Sequence, residues 1–173
     1  MMTRFLRISL LLAGLAAFPG LSGNTFDVRT LKFYHTHTGE VLEVAYYRQG
    51  EYDPEAMARI RIFLADWRDG EQRDLDPELL DILWRIQQAT GITNTWEVIS
   101  AYRSPQTNEM LRSRSSGVAK KSQHLIGTAI DVRLNGLDLD VLRDTARNLK
   151  LGGVGYYPGS DFVHVDTGRV RYW

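Results

Sequence analysis

The chain contains no cysteine among its 173 residues. Disulfide bonds are therefore excluded, and so is a lipid anchor, because lipidation of an exported protein needs a cysteine at the processing site. We expect an exported domain of this composition to be stabilised by its hydrophobic core or by a bound ion.

The sequence also lacks an excess of either charge, since 21 basic residues balance 21 acidic ones. No basic field of the kind that attracts nucleic acid is present, so no nucleic-acid partner is predicted. Low-complexity tracts and internal repeats are absent, and 43% of the residues are apolar. This composition and length predict one globular domain with a sizeable core.

No apolar run is long enough to span a bilayer. The N-terminal run ISLLLAGLAAF, Ile8 to Phe18, has 11 residues, or about 16 Å as a helix against a hydrocarbon core of roughly 30 Å. It follows Arg4 and Arg7 and precedes PGLSGN, which is the layout of a secretory signal. We predict a signal peptide over residues 1–23, cleaved between Ala17 and Asn24, and an exported, periplasmic domain over 24–173 with no membrane span. An uncleaved anchor is the alternative.

The first half of the domain reads as scaffold. Residues 25–33 and 40–47 alternate like two strands of a hairpin around HTHTG. Two helices then begin with an Asp cap and a proline, at Asp53-Pro54 and Asp76-Pro77. The apolar spacing of the first continues to Trp67, and the second stops at Gly91.

From Trp96 onward, four further strands alternate irregularly with two helices. The strand segments are WEVISAY, GTAIDVRL, GGVGYY and DFVHVDTG, and the helices are a short one ending near Arg114 and LDVLRDTARNL. Because no regular βαβ repeat is present, we predict an α+β fold with a mainly antiparallel sheet and flanking helices.

The segment SQHLIGTAIDVRL places His124 seven residues before Asp131. A hydrolytic zinc site takes about three protein ligands, usually His nitrogens and a carboxylate, with a fourth position for water. Gly127 would let the chain fold His124 back toward Asp131, and small Ala129 leaves room beside it. The third ligand is expected from another strand, and His164 in DFVHVD is the natural candidate.

Each of these residues has a plainer interpretation when it is taken alone. A single His on a strand is more often a core or surface residue than a ligand, and a single Asp is often an edge charge. A second pair, His35 and His37, lies at the end of the predicted hairpin. Because a hairpin end is more often a solvated turn than a metal site, we expect this pair to be structural or peripheral.

The motif SQHLIGTAID, followed by FVHVDTG, resembles the LAS-type zinc peptidases of bacterial cell walls, and most closely the YcbK-like or MepK-like murein endopeptidases. HTGE, SAYRSPQTN, RSRSSGVAKKSQH, GGVGYYPGSDFVHVDTG and RVRYW support the likeness over nearly the whole mature chain.

The resemblance implies a LAS/Hedgehog-like peptidase fold with a Zn²⁺ cofactor held by His124, Asp131 and His164. It also implies that Arg103 faces the substrate, where a guanidinium suits a carboxylate or a scissile carbonyl; a structural ion pair is the alternative.

For the general base, the resemblance points to Asp161, three residues before the last ligand. Because side chains alternate along a regular strand, Asp161 would point away from the face of His164 unless the strand begins after Asp161. Asp166 shares the face of His164 and is either a catalytic carboxylate or a partner that orients the imidazole.

The resemblance implies a zinc-dependent endopeptidase that hydrolyses amide bonds in peptidoglycan cross-link peptides. A D,D-carboxypeptidase that trims terminal D-Ala is one alternative. A non-catalytic murein-binding module that keeps zinc structurally, with four protein ligands, is another.

Overall fold

A mixed β-sheet forms the centre of the protein in a computed structural model that describes residues 27–115 and 117–173. The signal peptide predicted for residues 1–23 lies outside the described residues. The eight strands of the described part are β1 Val28–His35, β2 Val41–Arg48, β3 Glu51–Tyr52, β4 Trp96–Ser100, β5 Ala129–Leu134, β6 Gly153–Tyr157, β7 Phe162–Asp166 and β8 Arg171–Tyr172.

The strand order across the sheet is β3-β2-β1-β4-β5-β7-β6-β8. Five of the neighbouring pairs are antiparallel and two, β1–β4 and β6–β8, are parallel. The prediction of a mainly antiparallel α+β sheet is therefore confirmed, as is the hairpin of β1 and β2. The two-residue strands β3 and β8 were not predicted, because each is too short to show a period.

In the part of the chain that the structure describes, four α-helices accompany the sheet: α1 Pro54–Phe63, α2 Pro77–Thr90, α3 Pro105–Arg114 and α4 Leu139–Leu149. The first three begin in the same way, because Asp53, Asp76 and Ser104 each accept a backbone N–H of the first turn and each precedes a proline. This arrangement satisfies N–H groups that have no partner inside the helix. No helix in the described ranges is long and apolar enough to cross a membrane.

Helix α1 is shorter than its apolar spacing predicted, since it ends at Phe63 and not near Trp67. The reason is Asp66, whose buried carboxylate accepts the backbone N–H groups of Arg68 and Ser104 at 3.1 and 2.9 Å. These bonds turn the chain out of the helix and tie it to the start of α3.

The hydrophobic core lies on the sheet face that α1, α2 and α4 cover. Ile130 and Val132 of β5, with Val163 and Val165 of β7, are fully buried there. Because side chains alternate along a strand, Asp131 and His164 project from the opposite face. The packed core therefore fixes the two strands that carry two of the predicted ligands.

Candidate metal centre and cleft

Asp131 and His164 lie side by side because β5 and β7 pair in antiparallel register, with these two residues directly opposite each other. Partners at such positions have Cβ atoms about 4.5–5.5 Å apart. The sheet thus brings together two side chains that are 33 positions apart in the chain.

His124 reaches the pair from a 3-10 turn, Gln123–Ile126, that precedes β5. Ser122 caps this turn by accepting the N–H of His124, and Gly127 ends it at a φ of +75°. A Cβ at Gly127 would lie 2.5 Å from the carbonyl oxygen of Asp74, so glycine is required both for its conformation and for the space. The predicted use of Gly127 to fold His124 back is confirmed.

Three potential ligand atoms converge. His124 Nε2 lies 3.3 Å from Asp131 Oδ1 and 3.2 Å from His164 Nδ1, and His164 Nδ1 lies 2.8 Å from Asp131 Oδ1. A tetrahedral ion with ligands at about 2.0–2.2 Å separates neighbouring ligand atoms by roughly 3.3–3.6 Å. The two distances from His124 Nε2 are close to that spacing, whereas the distance between His164 Nδ1 and Asp131 Oδ1 would have to lengthen by about 0.5 Å. The three residues therefore fit a divalent metal ion.

The far side of each imidazole is held by a fixed acceptor. His124 Nδ1 donates to the carbonyl oxygen of Ala101 at 2.6 Å, which leaves Nε2 as the free lone pair. His164 Nε2 lies 2.9 Å from Asp166 Oδ2, which turns Nδ1 toward the cluster. Such partners fix the tautomer and ring orientation of metal-binding histidines.

The titration behaviour of the three residues reflects burial and mutual charge. Burial lowers the pKa of His124, so this imidazole is neutral. Burial also lowers the pKa of His164, but its bonds to Asp131 and Asp166 outweigh that effect and raise it to about 9. Burial opposes ionisation of Asp131, yet the two histidines hold its pKa below the usual range. A single exchangeable proton, on His164 Nδ1, thus lies among the three ligand atoms.

Arg103 borders the cluster and is 9% exposed. Its Nη2 lies 3.8 Å from Asp131 Oδ2 and donates to Ser100 Oγ at 3.3 Å. Its Nε is buried without a hydrogen-bond partner in the described part of the chain. An incompletely paired guanidinium beside the ligands is suited to receive a substrate oxygen.

Asp166 does not lie in the cleft, which corrects its assignment as a catalytic carboxylate. It is fully buried behind His164, and both of its oxygens accept from Arg171 at 2.7–2.9 Å. Oδ1 also accepts the N–H of Gly168. The carboxylate therefore orients His164, which was the alternative interpretation.

Asp161, the expected base, is not brought to the cluster either. It precedes β7, as its role required, but its φ of +54° turns the exposed carboxylate toward Arg133 Nη1. It lines a separate hollow with Glu97 and Arg133. The geometry gives no support to proton transfer by Asp161.

The cluster opens into a cleft of about 290 Å³. Besides the three ligands and Arg103, its walls include Tyr157, Ser160 and Phe162. The rings of Tyr157 and Phe162 stack with their centroids 4.7 Å apart. Of two neighbouring tyrosines on β6, Tyr157 lines the cleft and Tyr156 packs against the hydrophobic core. Ser160 and Phe162 were missed, although both flank Asp161.

The second histidine pair stays outside the cluster. His35 is buried beside Phe63, and His37 stacks on Trp67 with ring centroids 4.1 Å apart. Among residues 27–115 and 117–173, the one group of three or more metal-ligating side chains within reach of a common ion is His124, Asp131 and His164.

A family profile described as peptidoglycan L,D-endopeptidase MepK matches residues 23–173 of this chain. The chain is 42% identical over 157 residues to the peptidoglycan L,D-endopeptidase MepK of Escherichia coli K12, which covers 91% of this chain and 85% of that protein. It is 41% identical over 146 residues to the probable peptidoglycan L,D-endopeptidase MepK of Haemophilus influenzae, covering 84% and 78%.

Among solved structures, the chain is similar to the L-Ala D-Glu endopeptidase ChiX of Serratia marcescens, with a TM-score of 0.36 and 16% identity over 55% of this chain and 68% of that one. A likeness of this size supports no argument about function.

Proposed function

Because the chain belongs to the family described as peptidoglycan L,D-endopeptidase MepK, we propose that it is a zinc-dependent endopeptidase that hydrolyses amide bonds in the cross-link peptides of peptidoglycan. We also propose that residues 1–23 are a signal peptide and that the enzyme acts in the periplasm. The observation that carries the catalytic part is the open triangle of His124 Nε2, Asp131 Oδ1 and His164 Nδ1 at the base of the cleft.

We propose Zn²⁺ as the ion, because two imidazoles and one carboxylate in a tetrahedral arrangement are a donor set that zinc takes in hydrolases. A bound Zn²⁺ would lower the pKa of a coordinated water to about 7 and polarise a substrate carbonyl.

The other side chains have separate tasks in this mechanism. Arg103 donates to the carbonyl oxygen of the scissile amide, where negative charge develops in the transition state. Asp166, held by Arg171, keeps His164 Nδ1 aimed at the ion. Buried aliphatic side chains on the core face keep β5 and β7 in register, so that the ligands are positioned before substrate binds.

Among the described residues, the cleft offers no carboxylate besides the ligand Asp131. We therefore assign no side-chain carboxylate as the base. Tyr157 also lines the cleft, and its hydroxyl accepts from Trp173 Nε1 at 2.7 Å.

The non-catalytic alternative required four protein ligands. Three metal-ligating side chains converge in the described part of the chain, and the fourth direction faces the cleft. This arrangement favours a catalytic site over a closed structural one.

The test is digestion of purified sacculi by the mature protein, with the released muropeptides identified by mass spectrometry. We expect cross-linked dimers to be cut into monomers, the reaction to stop with a chelator, and zinc to restore it. Release of free D-alanine without loss of dimers would instead identify a D,D-carboxypeptidase. Undiminished cutting in metal-free protein would refute the mechanism.

A further inference from the structure

The cleft does not end at the metal cluster. A second hollow of about 590 Å³ adjoins it, and the two share Gly117, Ala119 and Tyr157 as a common wall. The remaining lining residues of this second hollow, which we call the basic extension, are Lys121, Gln123, Arg169, Arg171 and Trp173.

Among the described residues, the lining of the basic extension includes three cationic side chains and no Asp or Glu. Arg171 is committed to Asp166. Lys121 and Arg169 are exposed, and among residues 27–115 and 117–173 neither has a carboxylate within 4.0 Å. Two charges are thus presented to the hollow without a protein counter-ion.

Positive charge is concentrated in the segment that leads to His124, although the chain as a whole is neutral. Residues 103–124 contain five basic residues, Arg103, Arg112, Arg114, Lys120 and Lys121, and one acidic residue, Glu109. A concave surface lined by one sign of charge focuses the field and raises the local concentration of an oppositely charged ligand.

Trp173 connects the extension to the site of chemistry. Its ring centroid lies 5.3 Å from that of His164, and its Nε1 donates to Tyr157 Oη. The ring packs against the backbone of Gly155, where a Cβ would lie 2.6 Å from it. An extended peptide advances about 3.3 Å per residue, so the Trp173 wall of the extension lies within roughly two residues of a bond cut at the cluster.

We propose that the basic extension is a subsite for a free carboxylate of the peptide substrate, bound by Lys121 and Arg169 one or two residues from the scissile amide. The proposal rests on the proposed function, because it presumes that a cross-linked stem peptide lies in the cleft. It assigns specificity for carboxylated over amidated stem peptides to these two side chains, which contact neither the ion nor the reacting bond.

The experiment compares two variants with the same loss of charge. One is the double variant Lys121→Gln/Arg169→Gln, and the control is Arg48→Gln/Arg59→Gln, whose exposed side chains lie on β2 and α1. Each zinc-loaded enzyme is assayed on a cross-linked peptide dimer with its carboxylates free and on the same dimer with them amidated.

We expect the wild type and the control to prefer the free acid, and the subsite variant to show a KM for the free acid raised by roughly tenfold, as two exposed charge contacts would give. Its kcat should change little, and its activity on the amidated dimer should match the wild type. Equal kinetics of all three enzymes on both dimers would overturn the subsite while leaving the endopeptidase function intact. An equal loss on both dimers would also overturn it.

A binding measurement separates this outcome from failure of the proposed function. If the wild type cuts neither dimer, the subsite can still be tested by calorimetry, which measures the binding of an uncross-linked stem peptide to the three proteins. Binding that weakens with Lys121→Gln/Arg169→Gln but not with the control supports an anion subsite, and identical binding by all three proteins rejects it.

Discussion

Two polar clusters lie at different places on the sheet, one near the edge strands β3-β2-β1 and one on the interior pair β5–β7, and they differ in how their hydrogen bonds are completed. Near β1–β3, Asp81 accepts from Arg29 Nη1, Tyr46 Oη and Tyr52 Oη at 2.7–2.9 Å. There one acceptor is surrounded by donors. Near β5–β7, His124 Nε2, Asp131 Oδ1 and His164 Nδ1 face one another with one proton among them.

The difference separates a structural cluster from a site. In the Asp81 cluster three donors share one carboxylate, and Arg29 also stacks over Tyr47 at 4.0 Å. Arg29 Nε has no partner among the described residues, but it is a donor and not a lone pair. The cluster at His164 has a surplus of lone pairs, which is unfavourable unless a cation fills the space between them. A hollow of about 230 Å³ beside Asp81 therefore does not indicate chemistry.

The largest effect is expected from breaking the cluster that needs an ion. His164→Ala removes one of three ligands, and we expect sacculus digestion to fall by about 10⁴-fold or more, as for loss of a reaction's central catalytic group. Mass spectrometry of muropeptides measures the loss of digestion, and elemental analysis measures the accompanying loss of bound zinc. Wild-type activity in the zinc-poor variant would contradict the assignment.

Breaking the Asp81 cluster is expected to change stability but not chemistry. Asp81→Ala leaves the buried Tyr46 hydroxyl without its acceptor and leaves Arg29 with Asp27 as its remaining carboxylate partner, which we expect to cost about 3 kcal/mol. Urea unfolding measures this change. Below the melting temperature, kcat/KM on the dimer should equal that of the wild type; a selective loss of kcat would place Asp81 in the site.

A smaller effect is expected at the carboxylate behind His164. Asp166→Asn keeps the shape but weakens the hold on the imidazole, and zinc affinity should fall by about ten- to hundredfold. Competition with a chromophoric chelator measures the affinity. An unchanged zinc affinity would show that packing alone orients His164.

The proton on His164 predicts how metal binding depends on pH. Because its metal-free pKa is raised to about 9, this proton is bound below that pH and must leave when an ion takes Nδ1. Zinc affinity should then rise about tenfold per pH unit between pH 6 and 8. Calorimetry in two buffers of different ionisation enthalpy should detect about one proton released per ion at pH 7.5.

The same titration on Asp166→Asn is the control, since losing one of the two carboxylates lowers the pKa of His164 and reduces the protons released. If the wild type releases almost no proton at pH 7.5, then His164 is neutral in the metal-free protein.

The smallest effect is expected at Asp161. Its carboxylate is bound to Arg133 and exposed outside the cleft, so Asp161→Asn should lower kcat by less than about twofold. A loss of about a hundredfold or more, typical of a removed general base, would show that the carboxylate turns into the cleft when substrate binds.

The grouping of His124, Asp131 and His164 could be predicted from sequence, because the family resemblance pointed to the three residues and local rules agreed with it. Strand alternation gave the faces of Asp131 and His164, and Gly127 marked the turn that returns His124. The same rules predicted the hairpin and the starts of α1 and α2. These rules did not predict where the Asp161 side chain points, because a residue at φ +54° belongs to no alternating pattern.

The residues that were missed contribute through pairings between distant segments. The acceptor for His124 is a backbone carbonyl, that of Ala101, and every residue has one. Arg171 reaches Asp166 because β8 pairs with β6 in parallel, and the two residues of β8 are too few to show a strand period. Helix α1 ended early for a similar reason, since Asp66 bonds to Ser104 far along the chain.

Gly127 has a consequence for how the protein tolerates sequence change. Any side chain there would meet the carbonyl of Asp74 on the segment that leads into α2, whose Asp76 N–H is bonded to the Gly127 carbonyl. The resulting displacement would pass directly to His124, three positions away. A saturation library selected for activity should therefore accept as few residues at position 127 as at the ligands, although glycine supplies no atom to the cluster.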